Sequence, residues 1–199
     1  MTVSGESAGQ RRFAQKAEQI LTGATQVFLQ RGYERASMDK VAKASGVSKQ
    51  TLYSHFADKE ALFVALVDKM SRRQIQSAFG SAPLKGDPKE VLSMLARTTL
   101  TQLAADEDYH DFVRLMIGES KRFPGLVEKF LLNVTRPSLM KLSEFLADAP
   151  ELGIKDPEAT AHILLGAVVF FMLTQEVMPG KAVMPMEADR LADALMALL

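Results

Sequence analysis

Apolar residues recur at spacings of three and four along almost the whole chain, a period that fits helices and not strands. Phe13, Ala17, Ile20, Ala24, Val27 and Phe28 fall on one stripe of a first helix, which Gly32 stops. Sustained period-two alternation and Asn-Gly or Asp-Gly hairpin turns do not occur. Ser37 is placed to cap a short helix carrying Val41 and Ala42, ended by Gly46. Ser48 caps a second, from Lys49 to about Ser54, and Asp58 a longer one through Leu62 and Leu66 to about Phe79. A connection from Ser81 to Pro88 follows, with two prolines and a glycine. Beyond it the pattern predicts helices at about 88–105, 108–122, 124–147, 156–176 and 187–198. The expected fold class is all-α, with about nine helices.

At 199 residues the chain suits one or two domains, and 47% hydrophobic with 24% charged residues is the balance of a folded globular protein. With no cysteine, a disulfide framework, thiolate chemistry and Cys-based zinc sites are excluded. The longest apolar run, Ile163 to Leu173, falls short of the roughly 18 residues a membrane helix needs, so it reads as a core or subunit-contact helix. Residues 1–12 have no apolar segment of the signal-peptide kind and are expected to form a polar arm, which places the protein in the cytoplasm.

Signatures of an enzyme are missing: there is no GxGxxG, P-loop, HExxH or GxSxG. Glu107 and His110 have the ExxH spacing of a di-iron site, but such a site needs a second motif and two further carboxylates. Asp106, Glu107, Asp108 and Asp111 more simply favour a helix N-terminus. No catalytic residue, cofactor or metal is expected.

The segment from Ser37 to Val64 carries the function. Two short helices joined by a three- to four-residue turn containing Gly make a helix-turn-helix, whose second helix enters the DNA major groove. Ala42 is small where the helices approach, Gly46 takes a left-handed turn without a Cβ clash, and Val47 with Leu52 fills the inner face. The other residues of the second helix, Ser48, Lys49, Gln50, Thr51, Tyr53 and Ser54, form a face able to hydrogen-bond bases and phosphates. Gln50 suits an adenine edge. Each also has a plain structural reading: Tyr53 could pack under the turn, His55 be a surface histidine, and Lys49 a solvated lysine.

The ordered set FxxxGY (Phe28 to Tyr33), helix-turn-helix, LYxHF (Leu52 to Phe56) and KExLF (Lys59 to Phe63) resembles the N-terminal DNA-binding domain of the TetR family of transcriptional regulators. The resemblance implies a DNA-binding domain over 13–57 and a ligand-binding and dimerisation domain over 58–199, linked by a helix at about 58–79. It implies base and phosphate contacts from Lys49, Gln50 and Thr51 on the recognition helix, with Ser48 at its start. Many relatives have a small residue where Gln50 stands. Tyr53 and His55 correspond to a phosphate-contacting pair, and Ser37 and Lys59 to outer phosphate anchors. Phe56 and Phe63 are assigned to the core.

Downstream, Phe112 to Phe130 and Asp156 to Val168 resemble the C-terminal domain of the AcrR/AefR-like subgroup. Nine of the eleven methionines follow position 56, and a Met- and Phe-rich helical domain can hold an adaptable apolar cavity. Candidates for its wall are Leu66, Met70, Leu103, Phe112, Met116 and Phe170, with His162 as a polar contact. The apolar helix 159–174, where Ala159, Gly166 and Ala167 permit close approach, and the amphipathic segment 187–198 suggest a homodimer interface. Two recognition helices about 34–36 Å apart would then read a palindromic operator in double-stranded DNA. The implied function is a repressor released by a small, largely apolar ligand. An activator or DNA-architectural protein of the same fold is the alternative, and an all-α enzyme or carrier a distant third.

Overall charge is zero, with 24 basic and 24 acidic residues, which on its face argues against DNA. Residues 1–56, however, hold eight Lys and Arg against four Asp and Glu, a net of +4, and residues 57–199 a net of −4. The zero is a cancellation between a basic head and an acidic body.

Overall fold

The computed structural model describes residues 8–79 and 86–199. Their order is α1 (Ala8–Arg35), α2 (Met38–Ser45), α3 (Lys49–His55), α4 (Lys59–Phe79), α5 (Pro88–Ala105), α6 (Glu107–Glu119), α7 (Pro124–Phe130), α8 (Arg136–Ala147), α9 (Pro157–Phe171) and α10 (Ala188–Ala197). Wider π-helical turns occupy Leu131–Thr135 and Met172–Val177. No strand occurs among the described residues, so the chain is all-α. The run expected at 124–147 is continuous but contains a π turn. Pro137 has no N–H to donate to the carbonyl of Asn133, and the helix widens just before it.

The chain divides into two compact units between Lys69 and Met70, inside α4. The first turns of α4 belong to the core of unit 1, because Leu62, Phe63, Leu66 and Val67 are all buried. Helix α1 starts by Ala8, so residues 8–12 are helical where a polar arm was expected. Residues 1–7 of that arm lie outside the described residues. Phe13, assigned by its spacing to the buried stripe, is 57% exposed, whereas Ile20, Ala24, Val27 and Phe28 are buried. At Gly32 (φ 75°, ψ 167°) α1 kinks rather than ends. One further turn then brings Tyr33 against Phe28 and Phe63, with ring centroids 5.8 and 4.9 Å away. Phe63 is core as expected; Phe56 is only half-buried.

Asp58 caps α4 as its sequence predicts, Oδ1 accepting from Ala61 N at 2.7 Å; Asp106 Oδ1 likewise accepts from Tyr109 N at 3.1 Å and Asp156 Oδ1 from Ala159 N at 2.9 Å. In unit 2, α8 packs along α9 and α5 against α10. Arg114 donates to the carbonyls of Glu176 and Val177, at 2.9 and 3.0 Å, and so satisfies the end of the second π turn. The helical stretch Pro157–Val177 is 21 residues with a mean hydropathy of 1.5, long and apolar enough by composition to cross a membrane. It is nevertheless a packed element of this unit, with Ala161, Leu164, Val168, Phe171 and Met172 buried.

Candidate nucleic-acid interface and internal cavity

The helix-turn-helix is fixed from inside. Gly23 on α1 lies so close to α2 that a Cβ there would fall 2.6 Å from the Ser45 backbone nitrogen. Gln19 Nε2 donates to the Ser45 carbonyl at 2.6 Å, holding the end of α2 just before the turn. Gly46 sits in the left-handed region (φ 63°, ψ 32°), and its N–H donates to the Lys43 carbonyl at 3.3 Å. Leu52 is fully buried beneath α3, and Val47 is half-buried. Sequence spacing indicated Ala42, Gly46 and Leu52 but not Gly23 or Gln19. Both lie on a helix where one glycine and one glutamine carry no local signal.

The opposite face of α3 is open. Ser48 Oγ accepts from Thr51 N at 3.0 Å and lies 2.8 Å from Thr51 Oγ1, so both hydroxyls cluster at the helix start. Gln50 is exposed. Tyr53 is 51% exposed and therefore does not pack under the turn. Lys49 Nζ reaches Asp39 Oδ2 on α2 at 2.7 Å, an ion pair on the solvent side of both helices. Ser37 Oγ accepts from Lys40 N at 3.4 Å, and Lys40 Nζ donates to the Arg35 carbonyl at 2.8 Å.

Two of the expected phosphate contacts are tied into the fold. His55 stacks on Phe13 with ring centroids 3.9 Å apart, and its Nδ1 is buried without a hydrogen-bond partner. Burial first, and then the nearby Lys16 charge, holds its pKa below the ordinary histidine value, which favours a neutral ring. Lys59 Nζ donates to the carbonyls of Tyr33 and Glu34, at 3.1 and 3.3 Å, and lies 4.5 Å from the Tyr33 ring centroid. Its charge thus closes the C-terminal end of α1.

Unit 2 contains a cavity of about 430 Å³ lined from every helix from α4 to α10 and from the two π turns. Of the residues expected in its wall, Leu103 lines it. Phe112 and Met116 are buried outside that lining, as is Met70. Leu66 belongs to the core of unit 1. Phe170 is 62% exposed on α9, and His162 lines a separate groove with Met140, Glu144 and Glu158. The wall residues that spacing missed, among them Gln74, Tyr109 and Met172, come from helices whose rotation only packing defines. Among the described residues no group of three or more His, Asp or Glu side chains is placed to hold a metal. His110, half of the ExxH pair, is buried, with Nε2 2.5 Å from the Leu103 carbonyl.

A capped helix-turn-helix with an exposed polar face in unit 1, and a helical unit 2 that holds an apolar cavity, define a DNA-binding regulator of the one-component kind. Residues 20–66 match the model for bacterial regulatory proteins of the tetR family, and residues 90–198 that of the AefR-like transcriptional repressor C-terminal domain. The chain belongs to the TetR family of helix-turn-helix transcriptional regulators. It is 45% identical over 51 residues to the transcriptional activator FasR of Mycolicibacterium smegmatis, covering 26% of this chain and 23% of FasR. A TetR-family regulator from Mesorhizobium loti superposes with a TM-score of 0.74 at 28% identity, over 94% of this chain and 98% of the other. The flavonoid-responsive regulator FrrA gives a TM-score of 0.70 at 27% identity, over 93% and 95%. The first curated relatives are matched over 23–58% of their own length.

Proposed function

We propose that this protein is a cytoplasmic transcriptional repressor that binds a palindromic operator as a homodimer and leaves it when a small, largely apolar molecule fills the cavity of unit 2. The observation that carries the reading is the outward face of α3. It is polar and exposed on a helix whose opposite side is buried, which suits a groove and not a core. Ser37, Ser48, Lys49, Gln50, Thr51 and Tyr53 form the DNA-contacting set, with Gln50 toward base edges and the hydroxyls and Lys49 toward phosphate. His55 and Lys59 act mainly by holding α1 against this surface, with an edge of each left for the backbone.

The dimer face is drawn on α9. Ala159, His162, Ile163, Gly166, Val169 and Phe170 are all exposed and follow one stripe at helical spacing. Ile163 and Phe170 are 63% and 62% exposed, and a Cβ built on Gly166 meets nothing within 4 Å. Such a stripe on a free chain suggests a covering partner, and a two-fold axis supplies an identical one. By contrast, α10 turns Ala192 and Leu195 inward against α5, and Asp189 and Asp193 pair with Arg97 of α5. The 187–198 segment is therefore assigned to the body of each subunit rather than to the seam.

Selection of bound sequences from random DNA, followed by fluorescence anisotropy on the selected duplex, tests the reading. Wild type should bind an inverted repeat, and Lys49→Ala and Tyr53→Phe, both folded, should bind about tenfold more weakly or worse. Unchanged affinity in both variants would refute the assigned surface. Because FasR is an activator, a reporter carrying the operator at different promoter positions separates repression from activation.

A further inference from the structure

The cavity of unit 2 is apolar but not featureless. Apolar residues, among them Leu92, Leu103, Val113, Leu164 and Met172, make most of its surface, and among the described residues no charged side chain lines it. Its polar side chains are Gln74, Thr99, Tyr109, Thr135 and Ser138, of which Tyr109 and Gln74 carry the longest polar arms. Asp106 Oδ1 caps Tyr109 N at 3.1 Å, while Asp106 Oδ2 pairs with Arg73 Nη2 of α4 at 3.0 Å. This clamp ties the start of α6 to α4, and Tyr109 and Gln74, the residue after Arg73, both line the cavity. Among the described residues neither the Tyr109 hydroxyl nor the Gln74 amide forms a hydrogen bond, and Tyr109 is 6% exposed. A polar group placed in an apolar chamber and left without a protein partner is a group available to a ligand.

We propose that the cavity takes an uncharged, mostly apolar molecule bearing a hydroxyl or carbonyl, which hydrogen-bonds the Tyr109 phenol and the Gln74 amide, and that it rejects ionised carboxylates and ammonium ions. This rests on the reading of the cavity as the effector site, and it names the class of effector. Rejection follows from the wall. An ion moved there would lose its hydration shell without gaining a counter-charge, because Arg73 and Asp106 neutralise each other. A neutral hydroxyl or carbonyl finds in the Tyr109 phenol and the Gln74 amide both a donor and an acceptor. Burial, and then the Asp106 charge, push the phenol of Tyr109 up from its ordinary pKa, so it remains a neutral donor. A volume of about 430 Å³ lies in the range of sites for drug-sized ligands.

The test is direct binding to the full chain, without DNA, by calorimetry and thermal shift. The probes are 4-phenylphenol, biphenyl, biphenyl-4-carboxylate and 4-phenylbenzylammonium. The phenol should bind, the two ions about a hundredfold more weakly or not at all, and biphenyl about tenfold more weakly than the phenol. Tyr109→Phe and Gln74→Leu should each remove most of the phenol's advantage and leave biphenyl binding unchanged. Equal binding of an ion and the phenol would overturn the proposal. So would failure of all four probes to bind, or equal loss of phenol and biphenyl in the Tyr109→Phe protein. Operator anisotropy in the presence of the phenol separates the two readings: binding of the phenol without DNA release keeps the ligand class and rejects the effector role.

Discussion

Single residues show how narrowly the DNA-reading surface is held. Gly23 is where α1 and α2 touch, and the atom a new Cβ would meet is backbone, which cannot rotate away. Gly23→Ala should therefore destabilise the protein by about 1–3 kcal/mol despite alanine's better helix propensity, as measured by denaturant unfolding. A stabilised variant would show that the helices separate at little cost. His55 gives a pH signature. Its pKa is lowered in the folded state, so below about pH 6.5 the unfolded chain binds the proton more readily. Its contribution is present above the unfolded value, is lost as the pH falls toward the folded value, and is constant below that. Between pH 7.5 and 5.5 the Tm of wild type should fall more than that of His55→Gln. Parallel Tm curves would contradict the burial of Nδ1.

At the scale of elements, α2 and α3 share the ion pair of Lys49 with Asp39. Both partners are more than 60% exposed, so the pair adds little stability, about 0–1 kcal/mol. On the proposed DNA contact its consequence falls on binding, because Asp39 would compete with phosphate for the ammonium and repel the DNA backbone. Asp39→Asn should leave Tm within a degree or two and raise operator affinity several-fold at low salt. Lys49→Ala should instead reduce the slope of log affinity against log salt by about one. Anisotropy titrations across a salt series read both. Weaker binding by Asp39→Asn would mean that the carboxylate positions Lys49 rather than withholding it.

On the scale of the whole molecule, the basic head with net +4 over residues 1–56 gains weight only when two heads act together. In the proposed dimer, two-fold pairing through the α9 stripe would double that charge and fix the half-site spacing. Ile163→Glu with Phe170→Glu should give a folded monomer by light scattering, with operator affinity reduced by a hundredfold or more while each head stays intact. A dimer that survives both substitutions would move the seam elsewhere. One helix, α4, supplies Lys59 to unit 1 and Gln74 to the cavity of unit 2, so the release model predicts that ligand-induced change is read along this helix.

Local rules settled much of this protein before any packing was considered. Caps, a left-handed glycine and the 3.6-residue period depend on near neighbours in the chain, so Ser37, Gly46, Ser48, Asp58 and the polar face of α3 were all legible. The family motifs are legible for the same reason, being short and contiguous. Tertiary structure decided what depends on how each helix is rotated about its axis. It put Phe13 on His55 rather than in the core, Lys59 on the carbonyls that end α1, Phe170 outside and Tyr109 inside. Pocket walls and subunit faces are made by residues far apart in sequence, and a period gives a helix its stripe without saying which neighbour covers it.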